Sequence, residues 1–219
     1  MNNWDQLSPV LLLSFQQTIY MVAWTMVIAG VLGLLIGVLL YATRPGGLLR
    51  NPVVFHLLNV LVNIIRPIPF IIFITAVGPL TLLVMGTTIG TQSVVFPMSA
   101  MASFVIGRVV EQNLIAIDPG VIEAARAMGA SKPRIILTVL IPEALGPLVL
   151  GYTFIFVAVV DMSAMAGYVG GGGLGNFAIT YGYQQFNWPV TLVTVVVIIV
   201  IVQAAQFLGN WLARKALHR

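Results

Sequence analysis

The chain has 219 residues, 59% apolar and 7% charged, with a mean hydropathy of +1.04. A soluble domain carries about a quarter charged residues, so this sequence cannot cover a folded core with polar side chains. It reads instead as an integral membrane protein, and its long unbroken apolar runs point to an all-α membrane protein, since barrel strands would alternate. The lack of cysteine excludes disulfides and thiolate metal sites, and His56 and His218 stand too far apart to suggest a metal cluster.

A helix crossing a bilayer needs about 20 apolar residues. Residues 6–43 hold no charge, and the first span is predicted at 19–41. It carries Ala29, Gly33 and Gly37 at four-residue spacing, a small-residue stripe that lets another helix come close, within one chain or in a dimer seam. Arg44 and Arg50 follow, around a loop with Gly47. The second span is predicted at 56–77. His56, Asn59, Asn63 and Arg66 form a polar stripe along it. The stripe has two readings, a pathway inside the protein or the water-facing side of an interfacial helix. Pro67 and Pro69 break helical hydrogen bonding nearby. A turn is expected between Gly78-Pro79 and Gly90, then a third span at 88–108 and an elbow at 118–142. The fourth span is predicted at 144–162 and ends near Asp161, read as interfacial. A glycine-rich external loop follows, Gly167–Asn176, and the fifth span at 190–213 leads to a basic C-terminus.

Nine basic residues fall on one side of these five spans: Arg44, Arg50, Arg108, Arg126, Lys132, Arg134, Arg214, Lys215 and Arg219. The opposite connections carry none. This asymmetry predicts a multi-pass protein of the cytoplasmic membrane with its N-terminus outside and its C-terminus inside. The net charge of +4 is then a matter of orientation, not of nucleic-acid binding. No basic segment or cleavage site precedes the first span, so no removed signal peptide is expected.

Enzymatic readings fail. Gly170 and Gly175 have the glycine spacing of a phosphate-binding loop, but Asn176 and Phe177 stand where Lys and Ser/Thr are needed. Asp161 has no carboxylate partner for aspartyl protease chemistry, and G-x-S-x-G is absent. The chain reads as a non-enzyme without a cofactor.

The segment Asp118–Glu143 carries six of the sixteen formal charges. Asp118 suits an N-cap and Pro119 the first helical position. Val121 to Met128 reads as a short helix with Gly129 as its left-handed stop. Glu123 and Arg126 are placed to pair. Ser131 is expected to cap a second helix lasting until Pro142. Ile122, Ala125 and Met128 share one face, beside Ala124 and Ala127, an apolar ridge suited to a groove on another protein or to the lipid surface.

Glu123-Ala124-Ala125, then Gly129, then Val139-Leu140-Ile141-Pro142 resemble the EAA motif of ABC importer permeases, with Val and Ile in place of the usual Ile and Leu before the proline. "YATRPG" (Tyr41–Gly46), "NIIRPIPFII" (Asn63–Ile72), "SAMAGYVGGGGLG" (Ser163–Gly175) and "YGY" (Tyr181–Tyr183) look like the permease of the methionine importer family. The resemblance covers the chain from about Thr18 onward. It implies the type I importer permease fold, a homodimer forming the pathway, two cytoplasmic ATP-binding subunits and an external substrate-binding protein. It also implies methionine as cargo, in the L form and by extension the D form. On this resemblance the elbow is the coupling helix, with Glu123, Ala124, Ala125, Met128, Gly129 and Pro142 as its ATPase-coupling residues. A bulky residue at Gly129 should strain the turn and clash with the ATPase groove, while the same change at Gly47 should be mild. The expected translocation path and gate residues are Met165, Met162, Ser163 and Asn63. Met suits a plug that repacks, and either Met also reads as ordinary core packing. The residues alone leave open another cargo, such as a different amino acid or a phosphonate. They also leave open a self-contained secondary transporter, although no internal repeat is visible.

Overall fold

The computed structural model describes residues 4–217, so His218 and Arg219 lie outside the described residues. Every element among them is helical. Helix α1 runs Trp4–Thr43, 40 residues, or about 60 Å at 1.5 Å per residue. It starts well before the span expected from Ile19 and runs through Pro9, whose missing amide removes one helical hydrogen bond. Ala29, Gly33 and Gly37 are buried. A Cβ at Gly33 would lie 2.5 Å from Ile106, and one at Gly37 would lie 2.5 Å from the Gly107 carbonyl oxygen. The stripe therefore serves close packing within the chain. Val27, Val31 and Leu35, on the other side, are exposed, as a lipid-facing row would be.

Helix α2 is Pro52–Ile65; its N-cap Asn51 accepts from the Val54 amide at 3.2 Å. Helix α3 is Phe70–Ala76. The two meet at 112°, so residues 56–77, expected as one span, form two helices around a break. Pro67 and Pro69 lack amide hydrogens, and Pro69 is extended at φ −58°, ψ 134°. The turn expected from Gly78 to Gly90 contains helix α4, Gly78–Met85, because Pro79 occupies the first turn, where proline is tolerated. Gly86 at φ 74° ends it. Helix α5, Thr91–Ile115, extends past the span predicted to end at 108 and encloses Arg108.

Helices α6 (Pro119–Ala127) and α7 (Lys132–Ile135) lead through a π turn, Ile136–Leu140, into α8 (Ile141–Glu143) and α9 (Leu145–Ala166). The glycine-rich stretch expected as a loop is a kinked turn, Gly167–Gly171, in which Val169 and Gly170 leave helical φ/ψ, followed by α10 (Gly173–Phe177) and a π turn, Ala178–Tyr183. Helix α11, Trp188–Leu217, ends the described chain. Among the described residues four helices, α1, α5, α9 and α11, are long and apolar enough to cross a membrane, and α2 with α3 makes a fifth if taken as one broken span.

The described residues form two compact units. Unit one comprises the chain through Ile28 with Ile68–Ala102 and Phe156–Ala205; unit two comprises Ala29–Pro67, Ser103–Ile155 and the chain from Gln206. Met21, Met98, Leu174 and Phe177 are almost fully buried in the first, and Leu40, Ile106, Leu114, Ile135 and Leu140 in the second.

Candidate functional site

In unit two, the Asp118 carboxylate accepts from the Gly120 amide at 2.7 Å and caps α6. Pro119 fills the first helical position, where no amide partner is needed. The far end closes in a Schellman motif: the Ala130 amide donates to the Ala125 carbonyl at 3.1 Å and the Gly129 amide to the Arg126 carbonyl at 2.9 Å. Gly129 takes φ 77°, and among the described residues none beyond its two chain neighbours comes within 4 Å of where its Cβ would stand. Met128 projects at this corner, 81% exposed. Glu123, Ala124 and Gly129 are exposed too. Ala125 is buried and Ile122 half-buried, so the apolar ridge is divided: Ala125 anchors the helix within its unit and Met128 is presented outward. Glu123 and Arg126 form no ion pair.

Ser131 makes no capping hydrogen bond. Nor does the second arm stop at Pro142. The Ile141 amide donates to the Ile136 carbonyl, five residues back, and the Ala144 amide to the Leu140 carbonyl at 3.1 Å. Widening the helix ahead of the proline absorbs its missing donor. Pro142 lines a groove of about 610 Å³ with Thr138, Glu143, Leu212 and Lys215.

Gly47, expected to accept a larger residue, has no room for a side chain as the loop stands. Its Cβ would strike the Ala42 carbonyl oxygen, whereas its neighbour Gly46, at φ 79°, has nothing within 4 Å. The chain folds back there, and the Leu49 amide donates to the same Ala42 carbonyl at 2.8 Å.

A polar cluster lies in the same unit. The Arg108 guanidinium donates to Glu111 Oε2 at 2.6 Å, Asn59 Oδ1 at 2.7 Å and Asn63 Oδ1 at 2.8 Å. Arg108–Glu111 is the ion pair found among the described residues. Asn63, predicted on the path, is thus tied to a cation. Arg108 and Glu111 were missed as a site, because the arginine read as an orientation marker after a span. Their i, i+3 spacing on a helix was the available signal.

In unit one, Met165 is exposed, Met162 half-buried and Ser163 buried. The Ser163 hydroxyl donates to the Val160 carbonyl of its own helix at 2.6 Å. The glycine stretch packs against backbone and against α1. A Cβ at Gly175 would overlap the Ala164 backbone, and one at Gly173 would lie 2.8 Å from Thr18 Oγ1. The Gly173 amide donates to Gln17 Oε1 at 2.7 Å and the Leu174 amide to Thr18 Oγ1 at 2.8 Å. Gln17 and Thr18 thus satisfy the first amides of α10, a role their sequence gives no sign of. The candidate residues therefore divide: the elbow, Pro142 and Asn63 belong to unit two, and Met162, Ser163 and Met165 to unit one.

A family model described as "Binding-protein-dependent transport system inner membrane component" matches residues 31–218. The chain is 42% identical to the probable D-methionine transport system permease protein MetI of Vibrio cholerae, over 97% of this chain and 94% of that one. It is 41% identical to the protein of the same name from Pasteurella multocida, over 94% and 95%. A solved structure of inward-facing conformations of the MetNI methionine ABC transporter superposes with a TM-score of 0.94 at 38% identity, covering 99% of both chains.

Proposed function

We propose a transport role for this chain, which belongs to the family of binding-protein-dependent transport system inner membrane components: it is the permease subunit of an ATP-driven importer and forms the path for methionine. Two copies make the pathway, two cytoplasmic ATP-binding subunits drive it, and an external binding protein delivers the cargo. The similarity to methionine transport permeases along nearly the whole chain supports the cargo. The observation that carries the mechanism is the capped elbow, which displays Met128 and Gly129 at a rigid corner. This chain lacks a phosphate-binding loop lysine, so hydrolysis occurs on another subunit and work must cross a protein interface. A short, hydrogen-bonded helix with one projecting apolar side chain is a shape that a groove can grip. Glu123 and Ala124 lie on its exposed surface, and Glu123 offers a carboxylate to an arginine of the partner.

The distribution of basic residues puts the elbow in the cytoplasm, the N-terminus outside and the C-terminus inside. In intact cells, Gln185→Cys, at an exposed position of the connection before α11, should react with an impermeant maleimide and Ser131→Cys should react only after permeabilisation; the reverse pattern inverts the topology. Met165, exposed beside the glycine-rich turn, is the gate residue, with Met162 and Ser163 supporting it. Met165→Ala should change resting ATP hydrolysis or uptake in an assembled complex, and no change in either removes it from the gate.

The function itself is tested by reconstitution. Liposomes holding the permease with its ATPase should take up labelled L-methionine only with ATP inside and binding protein outside, with competition by D-methionine. Uptake without ATP, or uptake of other amino acids in preference, overturns the reading.

A further inference from the structure

Glu111 is a carboxylate only 4% exposed, inside a long helix of an apolar chain. A carboxylate so buried needs a partner. Arg108 supplies the partner but does more than neutralise it. One guanidinium nitrogen is spent on Glu111, and the other donates to Asn59 and Asn63 on α2, two side chains one helical turn apart. Both terminal nitrogens are therefore engaged, which leaves no fork to receive a cargo carboxylate. The arrangement is a clamp: a planar, rigid donor set fastening α2 to α5.

Its position gives the clamp a task. From Glu111, α5 continues to Ile115, and hydrogen bonding carries on through the link: the Ile117 amide donates to the Leu114 carbonyl and the Val121 amide to the Asp118 carbonyl. The stretch from Arg108 to α6 is thus about two helical turns and one short, bonded link. We infer that Arg108 is a positioning residue through which movement of the elbow is passed to α2, so that the two travel together. The inference rests on the proposed import function and adds the route by which the elbow acts.

Three variants test it, in the complete importer in liposomes, by methionine imported per ATP hydrolysed. Arg108→Lys keeps the charge but replaces the fork with a point donor. Asn59→Leu leaves the Arg108–Glu111 pair intact and removes part of the link to α2. Arg108→Met with Glu111→Leu replaces the buried pair by apolar side chains, a change that folds usually tolerate. Asn59→Leu should lower the ratio by about tenfold, the equivalent of one lost charge-assisted hydrogen bond, and the other two variants, which disturb all three bonds of Arg108, by at least as much, while the ATPase still copurifies. A second measurement is independent of cargo. Spin labels at Leu57 on α2 and Ala127 on α6 should keep one separation with and without ATP in the wild-type clamp, and lose that constancy in Asn59→Leu.

A wild-type ratio in Asn59→Leu, or in the double apolar variant, would mean that Arg108 only neutralises Glu111, and would overturn the inference. If the wild-type complex imports no methionine, the cargo assignment falls, and the spin-label separation alone decides the clamp: constancy in the variant overturns it.

Discussion

The elbow and the glycine-rich turn both depend on glycine, for different physical reasons. At the elbow, Gly129 stands at φ 77° in open space. Its Schellman motif needs the left-handed conformation and nothing more from within the chain. In the glycine-rich turn, Gly175 has helical backbone and needs only room, since a Cβ would overlap the Ala164 backbone. Gly173 needs both, at φ 84° and 2.8 Å from Thr18. A glycine required by its dihedral can be replaced by a residue that adopts that dihedral. A glycine required by space cannot be replaced at all without moving a neighbour. The first kind suits a surface offered to a partner, and the second a junction held still.

The largest effect should come from the space-limited kind. Gly175→Ala forces one methyl against main chain, and its cost should reach about 3 kcal/mol, the upper end for overpacking. Thermal unfolding of the purified complex should show a strongly lowered midpoint or no folded protein. A normal midpoint would dissolve the distinction drawn above.

Gly47 and Gly46 repeat the contrast within one loop. Gly47→Ala should lose about 2 kcal/mol by the same overpacking, whereas Gly46→Asn should be nearly neutral, because asparagine enters the left-handed region readily. Equal losses would show that the loop relaxes.

At the elbow, Gly129→Val should cost about 1–2 kcal/mol in backbone strain and still give a membrane-inserted subunit, but one that no longer retains its ATPase on affinity purification. Gly129→Asn should restore the fold. If it restores ATPase binding as well, the position serves the dihedral alone; if not, the partner also needs the space.

The smallest effect should be a gain. Phe186 occupies the place of Gly129 in a second Schellman motif, at φ 52° and 80% exposed. The Asn187 amide donates to the Gly182 carbonyl at 2.8 Å and the Phe186 amide to the Tyr183 carbonyl at 3.2 Å. Phe186→Gly should raise the unfolding free energy by about 1 kcal/mol through relief of strain. A loss would mean that the ring contributes more than the strain costs.

The sequence by itself determined the protein's class, the apolar runs of its four long helices and the first arm of the elbow. Spans follow from composition over about 20 residues, and the cap at Asp118, the proline at 119 and the stop at Gly129 act within three residues of where they stand. Tertiary structure alone decided which partners meet. Arg108 reaches Asn59 and Asn63 from 49 and 45 residues away, and Gln17 reaches Gly173 from 156 away. It also decided that Ala125 turns inward while Met128 turns out, that Gly47 has no room and Gly46 has, and that α2 and α3 part at 112°. Helical periodicity tells which residues share a face, but not the rotation and register at which two helices pack. Those are set by the fit of side chains from distant segments, and every one of these pairings depends on them.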